Sequence, residues 1–317
     1  MKISIAMATY NGAKYLHQQL DSFTGQSRLP NELTVCDDLS SDETIEILRN
    51  FSRHAPFEVK IVCNEKNLGY TANFEKALSL SSGDIIFFSD QDDVWFRDKI
   101  EFVESIFERN EKTMVVVNDQ ELTDHQLTPS GLTITSNAQA VGIADYLSAG
   151  CCTALRTKFK EILIPFPAKL IPYDKWIHHM ANSFKVRTVT DRVLQYHRRY
   201  ETNSSTGRSL QKPSRLVLLK EYGLKDNTIG WLREIELLQY IQNHLETKSA
   251  VLDELQMGIP AKSLIEFNMA KNKAIKKRIQ LVRTRRPERY ENILRFYRSG
   301  GYDYFAGWKS AIKDVLR

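Results

Sequence analysis

At 317 residues, with 42% hydrophobic and 26% charged side chains, the chain is long enough for a sizeable core and too apolar to be disordered. It has no apolar run of about 18 residues, so no membrane-spanning helix is expected, and its start, MKISIAMATYNG, turns polar too soon for a signal peptide. The net charge of +5 is local: Lys271–Arg289 holds nine basic residues and one acid, leaving 35 basic against 38 acidic residues elsewhere, a net of −3.

The first 120 residues alternate two periodicities. Strands are predicted at ISIAMA, ELTVCD, EVKIVC, DIIFFSD and TMVVVND, and helices at about Ala13–Thr24, Asp42–Ser52, Tyr70–Leu80 and Lys99–Arg109. Near-continuous apolar strands alternating with helices indicate an α/β fold with a mostly parallel sheet covered on both faces. Ser40 and Glu43 read as a capping box before the second helix, and Gly83 as the stop after the third. From Gly142 to Tyr200 the periodicity weakens, with a helix expected from Tyr173. After residue 210 the chain reads as helical: Leu232, Ile235, Leu238 and Ile241 share one spacing, and Ile275, Ile279 and Val282 another, the latter among cations. The expected division is therefore 1–210 and 211–317. Cys36, Cys63, Cys151 and Cys152 lack metal or redox spacing and are expected to be reduced and structural, as in a reducing compartment.

In such sheets ligands bind beyond the carboxyl ends of the strands. The polar clusters TYNG, DDLSSDE, NEKNLGY and DQDD follow strands one to four, which is the pattern of a pocket rather than of simple solvated turns. Asp90, Asp92 and Asp93 lie within four positions. Asp90 and Asp92 suit a hard divalent cation, Mn²⁺ or Mg²⁺, which takes one or two protein carboxylates and completes its shell with phosphate and water. Asp93 reads as the cap of a helix starting near Trp95. No P-loop is present.

Four motifs in order, MATYNG, VCDDLSSDET, NLGYTANFEKAL and SDQDDVW, resemble the family 2 glycosyltransferases, inverting sugar transferases of the GT-A fold, over residues 1–205. SDQDDVW is similar to the rhamnosyltransferase-like branch, which uses dTDP-rhamnose. The resemblance implies that Ala8, Tyr10 and Asn11 meet the nucleotide base and ribose, that Asp38 accepts from the base, and that Asp37 supports the turn. It further implies that Asn67, Gly69, Asn73 and Gln91 line the donor site. Asp90 and Asp92 match an Asp-x-Asp motif at the ribose and metal. IPYDKWIHHMA is similar to the segment carrying the catalytic base, which makes Asp174 that candidate, with helix capping as its other role. Trp176 and His178 become candidates for acceptor contact or for the core. Where the family carries Tyr-Arg-Gln-His-Gly-x-Asn, this chain has HRRYETN. With Asn203 aligned, the histidine position holds Tyr200, and His197, Arg198 or Arg199 is left to meet the diphosphate.

The expected function is inverting, metal-dependent sugar transfer from a nucleotide-diphosphate donor to a saccharide, lipid-linked in bacterial surface polysaccharide synthesis, in the cytoplasm. Nucleotidyl transfer is the alternative enzyme class, and nucleic-acid binding through the basic stretch the alternative partner. The same stretch, with its apolar stripe, reads either as an interfacial helix on an anionic leaflet or as a solvated face packed on the enzyme.

Overall fold

The computed structural model describes residues 1–136, 149–199, 227–255 and 257–316. The expected boundary near residue 210, together with Tyr200 and Asn203, lies outside the described residues. The chain divides into two compact units, Met1–Leu210 with Asp253–Gly258 and Gln211–Leu252 with Ile259–Arg317.

The first unit has an α/β order: β1 (Ile3–Thr9), α1 (Ala13–Thr24), β2 (Glu32–Asp37), α2 (Thr44–Ser52), β3 (Glu58–Cys63), α3 (Tyr70–Leu80) and β4 (Ile85–Ser89). It continues with β5 (Val94–Trp95), α4 (Lys99–Arg109), β6 (Val115–Thr123), β7 (Pro129–Thr133), β8 (Thr153–Arg156), α5 (Thr157–Leu163), α6 (Tyr173–Ser183) and β9 (Arg187–Arg198). Among the described residues these strands form one nine-stranded sheet ordered β3-β2-β1-β4-β8-β6-β9-β5, with β7 on β6. The pairs β1–β2, β1–β4 and β2–β3 are parallel. The expected fifth strand, β6, does not lie against β4. β8 enters between them, antiparallel to both, and the later part of the sheet is mixed. A short antiparallel strand such as TALR carries no periodicity long enough to be read from sequence.

Burial explains the elements. β1, β2 and β4 are buried almost throughout, whereas β3, at the edge, is half-exposed. One hydrophobic cluster joins Ile3, Ile5, Leu33, Val35, Ile85 and Phe87 to Leu16, Leu20 and Phe23 of α1 and to Ile100, Val103 and Phe107 of α4. The expected capping box is not formed. Ser40 donates from both its backbone N–H and its hydroxyl to the Asp37 carboxylate, and Asp42 instead accepts from the Thr44 backbone N–H at the start of α2. Gly83 is not the stop of α3, which gives way to extended backbone at Ser81. A Cβ at Gly83 would lie 2.4 Å from Ser4 Oγ, so glycine is required there by close approach to β1.

The described helices of the second unit are α7 (Thr228–Thr247), α9 (Ala261–Arg283), α10 (Arg286–Arg298) and α11 (Trp308–Leu316), with α8 (Ser249–Glu254) at its margin. Trp231, Ile235 and Leu238 of α7 pack on Ile275 and Ile279 of α9. Trp231 thus takes the inner position expected of Leu232, which is exposed. The apolar stripe of the basic stretch is likewise inside this unit and not free to meet a membrane. Arg278 is buried too, paired through Nε to Asp314 Oδ2 at 2.7 Å, with Tyr302 donating its hydroxyl to the same oxygen.

Candidate active site

The loops that follow β1 and β2 are stitched together. Asp37 accepts from Thr9 Oγ1 at 2.7 Å and from Ser40. Asn11, with φ of +47°, accepts from the Ser41 backbone N–H through its side chain, and its own N–H donates to Ser40 Oγ. The Gly12 N–H donates to Thr44 Oγ1 and the Ala13 N–H to Asp42 Oδ2. Above them Gln91 exchanges two hydrogen bonds with the Tyr10 backbone, accepting from its N–H at 2.8 Å and donating to its carbonyl at 3.1 Å. Tyr10 itself is half-exposed, and Ala8 is half-buried at the end of β1.

The loop after β3 hangs on Asp38. Its Oδ1 accepts from the Leu68 N–H at 2.7 Å and from Asn64 Nδ2 at 2.9 Å, and its Oδ2 from the Gly69 N–H at 2.9 Å. These fill three of the roughly four acceptor sites of a carboxylate. Gly69, at φ +80°, adopts backbone that a side chain would strain. Asn67 is exposed and donates to the Asp38 carbonyl. Asn73 is buried, donating to the Cys36 carbonyl and accepting from Asn64.

The acidic turn after β4 sits over a buried polar network. Asp93 is fully buried. It pairs with His197 Nδ1 at 2.9 Å through one oxygen and accepts from Gln195 Nε2 at 2.8 Å through the other. Lys99 donates to the Cys151 carbonyl at 2.9 Å and to Gln195, and lies over the Trp95 ring. Burial opposes ionisation of Asp93, but the charge and hydrogen bond of His197 outweigh it and hold the carboxyl below its usual range. Burial likewise opposes the imidazolium of His197. Asp93, Asp90 and Asp92 outweigh it and push the ring up to about 9. Burial, reinforced by Asp93 and Asp92, pushes Asp90 up to about 7. Arg198, fully buried, donates from Nε to the Asp92 carbonyl at 3.0 Å and fixes the turn from below.

Asp93, Cys151 and His197 bring three potential ligand atoms within 4.8 Å of one another, the one such group among the described residues. The Cys151 thiol is raised by its hydrogen bond with Cys152 and by burial, so it stays protonated and does not suit a hard cation.

Asp174 stands in the first turn of α6, half-buried, with its pKa raised by burial. The Lys175 backbone N–H donates to Oδ1 at 2.8 Å. Tyr173, the preceding residue, stacks on Phe74 at 4.2 Å between ring centroids and packs on Phe88, two residues before Asp90. Its hydroxyl is raised well above the usual range by burial first and then by Asp90, Cys151, Asp174 and Asp93, so one buried phenol feels both the acidic turn and the candidate base. A Cβ at Gly150 would fall 1.8 Å from that hydroxyl, which is why a glycine stands there.

Residues 4–158 match the family described as Glycosyl transferase family 2. These residues are a glycosyltransferase family 2 domain. The chain is 28% identical over 274 residues to a dTDP-rhamnosyl transferase of Shigella flexneri, covering 80% of this chain and 89% of that one. It is 29% identical over 174 residues to the UDP-Glc:alpha-D-GlcNAc-diphosphoundecaprenol beta-1,3-glucosyltransferase WfgD of Escherichia coli, covering 53% and 65%. Of two of the curated relatives it matches, the chain spans just under two thirds of the length, 64% and 65%. Residues 1–349 of TarS from S. aureus share its fold with a TM-score of 0.53 at 17% identity, covering all of this chain and 91% of that one. The fold is GT-A.

The carboxyl ends of β1 to β4 carry Ala8, still within β1, and, in the loops that follow, Tyr10, Asn11, Asp38, Asn67, Gly69, Asp90, Gln91 and Asp92. Several expectations need correction. Asp93 does not cap a helix: α4 begins at Lys99, and Asp93 is the buried partner of His197. Asn73 is 2% exposed and ties α3 to the β2 strand end rather than lining a donor site. Asp38, at 3% exposure, clamps the loop after β3. Trp176 is fully buried with Nε1 donating to the Leu163 carbonyl, and serves the core. His178 is buried against Thr153 Oγ1, and burial lowers it to about 3, so it is a neutral core histidine. Asp174 is not the N-cap of α6, since Pro172 precedes the helix. The Arg199 backbone N–H donates to the Thr123 carbonyl. Two residues of the buried network, Gln195 and Lys99, are not singled out by the sequence reading. Gln195 and His197, two apart on a strand, share one face by the strand period, which is a signal the sequence does carry. Nothing in the sequence marks Lys99 as buried.

Proposed function

We propose that this enzyme transfers a sugar, with inversion, from a nucleotide-diphosphate donor to a saccharide acceptor. Supporting this, Tyr173, the neighbour of Asp174 in α6, packs on Phe88, two residues before Asp90, and inverting transfer needs a leaving-group site and an acceptor base close together. The Lys175 N–H, donating to Oδ1, holds the Asp174 carboxylate that would take the acceptor hydroxyl proton. Its raised pKa makes it a stronger base than an exposed aspartate. One in-line displacement suffices, and no covalent enzyme intermediate forms.

A divalent cation fits the donor set. Three carboxylates within four positions are answered nearby by His197 and Lys99, and burial, then Asp93 and Asp92, oppose the ionisation of Asp90, which a cation would favour. Asp90 and Asp92 would hold Mn²⁺ or Mg²⁺, with the Asp93-oriented imidazole of His197 beside them. When bound, the ion offsets the charge that develops on the departing diphosphate. Tyr10, Asn11, Asn67 and Gly69 border the donor, and Arg199 is the cation offered to its diphosphate.

The named activities of the relatives favour dTDP-rhamnose, or a hexose from a UDP-sugar, as donor. The second also favours a lipid-linked saccharide as acceptor; such an acceptor would be extended at the cytoplasmic face in surface polysaccharide synthesis. A groove lined by Gly69, Tyr70, Thr71, Leu170, Ile171 and Pro172, beside Asp174 in sequence, is where that acceptor would lie. Thermal shift with dTDP and UDP, with and without Mn²⁺, tests the reading. Metal-dependent stabilisation that Asp92→Ala abolishes is expected. Stabilisation by neither nucleotide under any metal condition would refute it.

A further inference from the structure

The helical unit contains one helix that is turned inside out. A surface helix normally buries its apolar stripe and exposes its polar one. α11 does the reverse. Its buried residues are Ser310 and Asp314, the latter held by Arg278 and Tyr302. Its exposed residues are Trp308 at 57%, Ile312, Val315 and Leu316 at 62%. At 100° per residue these four fall on one contiguous face. The neighbouring α10, packed on α11, shows a second stripe at i, i+4 and i+7, Tyr290, Leu294 and Tyr297, all about half-exposed.

The charges around this face are mostly positive, the exposed acids of α10 being Glu288 and Glu291, the latter paired with Arg295. The one acid of α11 is buried in its ion pair, and the other charges of the helix are Lys309 and Lys313. Arg286 and Arg298 are exposed on α10. Arg283 and Arg285, just before α10, are exposed as well. Aromatic rings and aliphatic side chains ringed by lysine and arginine have the chemistry of a helix lying in the headgroup layer, with Trp and Tyr at the boundary and cations on the phosphates.

We propose that the exposed face of α10 and α11 binds the surface of an anionic lipid bilayer. The face is distinct from the stripe of α9, which is packed inside, and membrane binding rests on the helical unit alone, so its failure leaves glycosyl transfer untouched. Membrane contact here inserts Trp308, Ile312 and Leu316 among the acyl chains, while Lys309 and Lys313 stay at the phosphates.

The molecule supplies its own probe. Of its four tryptophans, Trp95, Trp176 and Trp231 are buried and Trp308 is exposed. The full-length protein is mixed with vesicles of phosphatidylcholine alone or phosphatidylcholine with phosphatidylglycerol, and followed by co-sedimentation and tryptophan emission. Binding to the anionic vesicles with a blue shift, weakened by salt, is expected. The double variant Ile312→Ser with Leu316→Ser should lower the partition coefficient by roughly tenfold or more while circular dichroism and Tm hold, since both side chains are on the surface. Trp308→Phe should abolish the shift and keep most of the binding. No binding to anionic vesicles overturns the proposal. So does a concentration-dependent dimer, dispersed by the double variant, in a protein indifferent to vesicles; the face would then cover a second copy.

Discussion

Gln91 spans two loops of the sheet edge by giving its side-chain amide to the Tyr10 backbone in both directions, at 2.8 and 3.1 Å. The bond joins the turn after β4 to the turn after β1, so the acidic residues on either side of Gln91 are registered against the loop that carries Asn11. Gly12 makes room for it, since a Cβ there would lie 2.3 Å from Gln91 Oε1. Gln91→Ala should cost about 1–2 kcal/mol in urea unfolding and weaken nucleotide binding. Gly12→Ala should be costly in the natural background and milder in Gln91→Ala, a coupling read by a double-mutant cycle. Additive effects would mean that the two residues do not share that space.

Glu32, fully buried at the start of β2, sets an acid limit on stability. Burial opposes its ionisation. Hydrogen bonds from Ser4 and Ser82, with Lys60 at 3.0 Å, outweigh it and lower the carboxyl from 4.5 to about 2. A depressed carboxyl stabilises the fold above its unfolded pKa and loses that contribution as the pH falls through the folded one. Stability should therefore decline between pH 4.5 and 2. Glu32→Gln should remove this part of the decline and lower stability at neutral pH by on the order of 3 kcal/mol. Urea midpoints at pH 7 and pH 3 for the two proteins check it.

Arg278 and Asp314 are both buried within the helical unit, 2.7 Å apart. Leaving one of them alone should cost about 3–5 kcal/mol, because an uncompensated charge remains in the core. Asp314→Ala and Arg278→Met should each lower the melting temperature. The double variant should recover much of the loss, which calorimetry would show.

Most of the parallel half of the sheet was legible, because its strands are buried on both faces and read as apolar runs while its helices bury every third or fourth residue. Three of the four early helices begin at the expected residue, and α2 starts two residues late, at Thr44, where Asp42 and Glu43 form the turn that precedes it. What stayed hidden was the pairing of the mixed half, where β6 and β9 run parallel and β8 and β5 antiparallel to their neighbours. β8 is four residues long and β5 two, too short for any period to show.

In the site the acidic turn was visible as composition, but the division of labour within it was not. Asp93 and Asp90 differ only in which neighbours fold back on them, and those neighbours, Gln195 and His197, lie about a hundred residues on. Trp176 and His178 share the helix of Asp174, and nothing local separates the half-buried position from the two buried ones. The basic stretch misled for the same reason. Charge marked α9, while burial turned its apolar stripe inward and left the open apolar face to α11.

In the proposed reaction Asp174 removes the acceptor proton at a site that binds its donor without that residue. Asp174→Asn, assayed by product formation alongside nucleotide-sugar binding, tests it most directly. Donor affinity should be unchanged and transfer slowed by about 10²–10⁴-fold. Transfer at the natural rate, or loss of donor binding with the fold intact, would contradict it.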